Sequence, residues 1–133
     1  IIMKKSVVLL LVSFLFVGCV SQQDSENIEV ISAEEMQELL ELDSVQVIDI
    51  RTPKEYSEAF IIGSQNLNYL SETFGEDVER LDKSKPVVLY CKSGYRSAKC
   101  AKQLREKGFV KIYDLEGGIT KWKYKGFDTT SNP

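Results

Sequence analysis

Pro86 to Lys107 reads PVVLYCKSGYRSAKCAKQLREK, and its two halves follow different periods. Pro86 to Tyr90 is a continuous apolar run, the pattern of a strand covered on both faces in a parallel sheet. From Ser97 to Lys107, Ala98, Ala101 and Leu104 recur every three residues, which predicts a helix. Between them lies Cys91-Lys92-Ser93-Gly94-Tyr95-Arg96, a loop with a thiol where the strand ends and a guanidinium where the helix begins. A tight strand-to-helix loop turns successive backbone N–H groups inward into an anion-binding concavity. The helix N-terminus behind it adds about half a positive charge. A cysteine held there loses its proton more readily than a free side chain and becomes a nucleophile near neutral pH.

The rest of the chain limits what that thiol can do. With 133 residues there is room for one domain. The net charge of −3 is mild and does not suggest a nucleic-acid partner. The chain has no histidine. That excludes a cysteine–histidine protease, a serine–histidine–aspartate hydrolase and a histidine-ligated zinc site. No metal and no cofactor is expected, and Cys91 must be activated by loop amides, the helix end and nearby cations.

Residues 1–18 read as a leader. Lys4 and Lys5 form a positive n-region, followed by an apolar run from Val7 to Val17 that is too short to span a bilayer comfortably. Phe16-Val17-Gly18-Cys19 resembles the lipobox of bacterial lipoproteins, with Phe16 where leucine is usual. The resemblance implies lipidation of Cys19 and a protein exported to the bacterial cell envelope and held to the membrane by that lipid. Residues 19–27 then read as the lipidated cysteine and a polar tether, 28–127 as the domain and 128–133 as a polar tail expected to fray.

Within 28–127, strands alternate with helices. Ile28 to Ile31 reads as a strand, and Ser32 and Glu35 form a capping box opening a helix with Met36, Leu39 and Leu40 on its apolar face. Val45 to Ile50 is the next strand, and Thr52-Pro53-Lys54-Glu55 a second capping box with proline at the first helical position. A brief strand is expected near Gln65 to Leu67. Leu70, Phe74, Val78 and Leu81 are spaced for a helix face that Gly75 weakens. Val110 to Tyr113 alternates as a strand, and Gly117-Gly118 leads into a short helix carrying Ile119 and Trp122. This alternation predicts an α/β fold, a parallel sheet with helices on both faces. Ligands in such sheets sit beyond the carboxyl ends of strands, which is where Cys91 lies.

Four stretches together resemble the rhodanese-like domains: Val47-Ile48-Asp49-Ile50-Arg51-Thr52-Pro53-Lys54-Glu55-Tyr56, Ile62-Gly63-Ser64-Gln65-Asn66-Leu67, Tyr90 to Ser97, and Leu115-Glu116-Gly117-Gly118 with Trp122 and Gly126. One departure is Phe60, where many members carry histidine. The resemblance implies a five-stranded parallel sheet and a sulfurtransferase. In that family the loop thiolate attacks the outer sulfur of thiosulfate or another sulfane donor and keeps it as a persulfide. A second nucleophile (cyanide, a thiol or a protein) then removes it. On this pattern Cys91 carries the sulfur, and the amides from Lys92 through Ser93, Gly94, Tyr95 and Arg96 to Ser97 stabilise its anion. Arg96 braces the loop or meets an anionic substrate, and Lys92 attracts the donor. The alternative within the family is a sulfur-carrier or binding module with little turnover.

Other readings of the same residues are weaker. Phosphatases with a cysteine and arginine around an amide cradle place five residues between them; here Lys92 to Tyr95 are four, and Tyr90 stands where their signature has histidine. Cys100 sits inside the helix, so it is expected to pack against the sheet rather than to resolve a Cys91 persulfide. Asp49 and Arg51 are expected to tie a neighbouring strand end to the active-site side, and Glu55 to cap its helix. Trp122 and Tyr124 are assigned to packing, and Lys121, Lys123 and Lys125 to a solvated face.

Overall fold

The structure is a computed structural model that describes residues 27–132. The leader, Cys19 and the tether up to residue 26 lie outside the described residues. In chain order the elements are β1 (Ile28–Ile31), α1 (Ala33–Glu41), β2 (Gln46–Asp49), α2 (Pro53–Glu58), β3 (Gln65–Asn66), α3 (Phe74–Asp77) with a 3-10 turn (Val78–Arg80), β4 (Val87–Tyr90), α4 (Tyr95–Glu106), β5 (Ile112–Leu115) and α5 (Gly118–Tyr124). The five strands form one sheet in the order β1-β5-β4-β2-β3, every pair parallel. The apolar run before Cys91 is therefore the central strand. All four of its residues are buried.

Alternation along β4 divides the core. Val87, Leu89 and Cys91 join Ile48, Phe74, Cys100, Ala101 and Leu104 on the side covered by α3 and α4. Val88 and Tyr90 join Met36, Ile61, Leu115, Ile119 and Trp122 on the side of α1 and α5. Burying each large side chain stabilises by roughly 1.5–3 kcal/mol, so neither face can be lost without unfolding. Both capping boxes form: Ser32 Oγ accepts from Glu35 N at 3.1 Å, and Thr52 Oγ1 accepts from Glu55 N at 3.3 Å. Each cap is worth about 1 kcal/mol and fixes where a helix leaves its strand.

Four boundaries differ from the sequence expectation. The helix after Cys91 starts at Tyr95, two residues before Ser97, because Gly94 takes φ +103° and turns the chain directly into it. Its buried stripe is Ser97, Cys100, Ala101 and Leu104, while Ala98 faces solvent. Leu70 is 64% exposed, and only Phe74 to Arg80 is helical in that region. β5 is shifted, with Val110 52% exposed and Leu115 inside the strand. The tail does not fray at 128. Phe60 and Thr130 exchange two backbone hydrogen bonds, 2.8 and 2.9 Å, and Trp122 Nε1 donates to Asp128 O at 2.9 Å.

Candidate active site

The thiol of Cys91 lies where β4 ends and is 1% exposed. Gly94 N–H donates to Cys91 Sγ at 3.1 Å, and the Ser97 hydroxyl stands 3.6 Å from the same sulfur. Burial alone raises the pKa of a thiol. Here the Ser97 hydroxyl and the N–H groups of Ser97, Gly94 and Ser93 outweigh burial, and Cys91 is held below its ordinary range. Of the Lys92–Ser97 amides expected around the sulfur, those of Ser93, Gly94 and Ser97 thus act on it. Lys92, Ser93 and Tyr95 present their side chains to solvent, and Tyr95 stacks under Lys99 Nζ at 4.3 Å.

The loop is pinned from behind by the start of α5. Ile119 N donates to Cys91 O at 3.0 Å and Thr120 N to Lys92 O at 3.1 Å. A Cβ on Gly118 would lie 2.5 Å from Cys91 O, so the close approach needs glycine. That explains physically why the Gly117-Gly118 pair serves the cysteine loop although it follows a different strand.

Arg96 does not reach into the loop as a free guanidinium. Its Nη1 and Nη2 donate to Glu55 Oε2 and Oε1 at 2.9 and 2.8 Å. Glu55, held by Arg96 and by the N–H and hydroxyl of Thr52, drops to about 2 against the cost of its partial burial. The sequence assigned Glu55 to capping only. It caps α2 and clamps α4 to it.

Asp49 and Arg51 do tie the neighbouring strand end. Arg51 donates to Asp49 through Nε at 2.9 Å and Nη2 at 2.6 Å, and its Nη2 also donates to Ala59 O at 2.6 Å. Asn66 Nδ2 bridges Asp49 O and Arg51 O at 3.0 and 2.8 Å, a role the sequence did not mark. Tyr90, whose phenol is pushed up by burial and by the charge of Asp49, accepts from Ile61 N at 3.0 Å and bonds to Ser64 Oγ at 2.9 Å. Asp49, Ser64 and Tyr90 are buried, while Arg51, 5% exposed, also lines a cleft beside the loop.

A cleft of about 190 Å³ opens beside the loop, lined by Arg51, Glu55, Glu58, Lys92, Ile119, Thr120 and Lys123. Its lining mixes the cationic Arg51, Lys92 and Lys123 with the carboxylates of Glu55 and Glu58. Arg51 and Glu55 are already paired with Asp49 and Arg96, and the N–H groups of Ile119 and Thr120 with loop carbonyls. A larger cavity, about 620 Å³, lies on the α1 and α5 side among Leu40, Val47, Ile61, Trp122 and Phe127 and includes none of the loop residues. Cys100 is 0% exposed, and burial with the charges of Asp114 and Cys91 pushes it up to about 12. Among the described residues no group of three or more His, Cys, Asp or Glu side chains could hold a metal ion.

Residues 32–125 match the family model described as Rhodanese-like domain. The thiosulfate sulfurtransferase GlpE of Shewanella oneidensis is 33% identical over 92 residues, covering 69% of this chain and 89% of that protein. YqhL of Bacillus subtilis, itself uncharacterised, is 39% identical over 77 residues, 58% of this chain and 60% of that protein's length. Among solved structures, a rhodanese-related protein from Thermoplasma volcanium superposes with a TM-score of 0.70 at 28% identity, covering 78% of this chain and 99% of its own.

Proposed function

The chain belongs to the rhodanese-like domain family, and from that premise we propose that it is a sulfurtransferase carrying sulfane sulfur on Cys91. The observation that carries this reading is the sulfur itself, buried yet held by Gly94 N–H at 3.1 Å and the Ser97 hydroxyl at 3.6 Å. Donors aimed at one atom in a water-poor pocket stabilise an anion there, whether thiolate or persulfide. The relatives named thiosulfate sulfurtransferase support thiosulfate as the class of donor.

In the first half-reaction the Cys91 thiolate attacks the outer sulfur of thiosulfate. The S–S bond of the donor breaks, sulfite leaves with its electron pair, and Cys91 holds a persulfide anion. In the second, an acceptor thiolate or cyanide takes the outer sulfur and the Cys91 thiolate returns. Charge balances in both steps. Lys92 and Lys123 at the cleft rim attract the sulfonate end of the donor, and the Arg96–Glu55 clamp keeps the loop from opening as the leaving group departs.

The test is an intact-mass spectrum of the full chain before thiosulfate, after it, and after cyanide. A gain of about 32 Da that cyanide removes, and that Cys91→Ser lacks, is the expected result for a cysteine persulfide. Loading without repeated turnover of cyanide would make the domain a carrier. No gain from thiosulfate or a polysulfide would overturn the proposal.

We also propose, from the leader and lipobox pattern alone, that the domain is exported and anchored to the bacterial envelope by a lipid on Cys19. Labelled palmitate should be incorporated by the wild type and not by Cys19→Ser.

A further inference from the structure

Charge is divided unevenly along this chain. Residues 28–79 carry thirteen Asp or Glu against two Lys or Arg, and residues 80–132 carry five against thirteen. The fold places the densest run of each sign on opposite sides of the sheet. α1, with Glu34, Glu35, Glu38 and Glu41, covers one side, and α4, with Arg96, Lys99, Lys102 and Arg105, covers the other. A mildly acidic protein thus presents a basic helix at its nucleophile, since α4 begins four residues after Cys91.

Only some of these cations are open to a partner. Arg96 is bonded to Glu55, and Lys107, which ends the helix, to Glu79. Tyr95, Lys99 and Lys102 stand at i, i+4 and i+7, on one helix face, and all three are exposed. Lys92, also exposed, extends the row back to the loop. Among the described residues Lys92, Lys99 and Lys102 form no ion pair. Lys99 Nζ instead sits 4.3 Å over the ring of Tyr95, which is 71% exposed. Glu106, in the last turn, is the only acid between Lys92 and Lys107.

The row runs about 10 Å from Tyr95 to Lys102, at a rise of about 1.5 Å per residue. One small anion cannot span it, whereas carboxylates spaced along a polypeptide can. An exposed tyrosine steadied by a cation gives such a chain a rigid, partly apolar anchor. Phosphates of a nucleic acid or a membrane would match the charge, but they offer no acceptor for the sulfur to which the row leads. Resting on the persulfide reading of Cys91, we propose that the sulfur acceptor is a protein whose thiol lies in an acidic segment, docked along Lys92, Tyr95, Lys99 and Lys102. The transfer balances. The acceptor thiolate attacks the outer sulfur of the Cys91 persulfide, the S–S bond breaks, and Cys91 leaves as a thiolate with the electron pair. The acceptor then holds the persulfide, and no oxidant is needed.

Full-length protein loaded with thiosulfate is mixed with either of two synthetic peptides. Each has one cysteine, flanked by glutamates in one and by lysines in the other, and intact mass follows the sulfur. Lys99→Glu/Lys102→Glu changes only exposed side chains outside the cysteine loop. Its loading by thiosulfate and its release of sulfur to cyanide should therefore stay within about twofold of wild type. Transfer to the glutamate peptide should fall at least about tenfold in that variant, and transfer to the lysine peptide should rise. Each peptide is compared with itself, so the different acidities of the two thiols cancel. In the wild type the glutamate-peptide rate should also drop as ionic strength rises from about 0.01 M to about 0.1 M and the Debye length contracts to about 10 Å. Equal glutamate-peptide rates in variant and wild type would overturn the proposal.

If neither thiosulfate nor polysulfide loads sulfur, the sulfurtransferase reading falls and docking is decided separately. A labelled glutamate peptide with serine in place of its cysteine is then followed by fluorescence anisotropy. Binding that the variant loses keeps the acidic partner, and no binding rejects it. An oligonucleotide or a phosphatidylglycerol vesicle that the wild type binds, and that the glutamate peptide does not displace, would overturn the proposal in favour of a phosphate surface. A wild-type oligomer that the variant separates into monomers would overturn it too, because the occupant would be a second copy of this chain.

Discussion

Cys91 and Cys100 lie nine residues apart, on the same face of the sheet, with exposures of 1% and 0%. Their chemistry diverges. Burial drives Cys100 up to about 12, whereas at Cys91 the same penalty is overcome by the Ser97 hydroxyl and the amides of Ser97, Gly94 and Ser93. The difference is where each thiol meets the backbone. Inside α4 the N–H groups are occupied by carbonyls a turn earlier, so Cys100 finds no donors. Cys91 sits before the helix, where the first N–H groups lack such partners. A nucleophile is made here by position at a strand-to-helix junction, and burial by itself makes only an inert thiol.

The sharpest way to break this contrast is selective alkylation. A thiol with a pKa of about 12 is thiolate in on the order of one part in 10⁵ at pH 7. Iodoacetamide at that pH should label the Cys91 peptide at least about a thousandfold faster than the Cys100 peptide. Comparable labelling in the folded protein would erase the distinction.

The next largest effect should come from the contact that holds the Cys91 loop from behind. In Gly118→Ala the new Cβ would meet Cys91 O at 2.5 Å and Lys92 O at 2.6 Å, at a residue whose φ is +58°. Overpacking and backbone strain together should cost about 2–4 kcal/mol. The loop should shift off its donors, so urea denaturation should show the loss and sulfur loading should fall further than stability alone explains. A variant that loads normally would mean that the junction tolerates movement and that donor geometry matters less than argued.

Glu55→Gln sharpens the comparison from the α4 side. Its carboxylate drops to about 2 because Arg96 and Thr52 bond it. The folded-state pKa lies below the ordinary carboxylate value, so the stabilisation is complete above about pH 5 and is lost as pH falls toward 2. With both partners partly exposed, the clamp should be worth about 1–2 kcal/mol at pH 7. The gap between wild type and Glu55→Gln in urea midpoint should close on acidification, and sulfur loading should slow by up to about tenfold. A gap that persists at low pH would assign the effect to packing.

Much of this was legible in the chain. A parallel central strand reads as an unbroken apolar run, and Ser32 with Glu35 and Thr52 with Glu55 mark helix starts by local chemistry, so those elements stand where the sequence put them. Ser97 hid the true buried stripe of α4 because a hydroxyl stands at its first position. Leu70 misled by spacing alone, since Gly75 and a 3-10 turn leave that helix too short to reach it. The Glu55–Arg96 clamp joins residues 41 positions apart, and no local pattern records such a pair.

The smallest effect expected is also the one that separates packing from redox chemistry. Cys100→Ser places a hydroxyl among Cys91, Ala101 and Leu104 in the α4-side core. Burying an unpartnered hydroxyl costs about 1–3 kcal/mol, but a serine within a helix can bond the carbonyl one turn earlier. The expected loss is therefore near the low end, about 1 kcal/mol, a few degrees in Tm. The rate and extent of sulfur loading on Cys91 should stay within about twofold of wild type, because Cys100 donates nothing to that sulfur. If Cys100 instead resolved the persulfide, the variant would accumulate loaded protein that the wild type converts to a Cys91–Cys100 disulfide, two mass units lighter than the dithiol (roughly −2 Da). Such a species in oxidised wild type would make the helix unwind far enough for the two thiols to meet, and the inert thiol would become a partner of the reactive one.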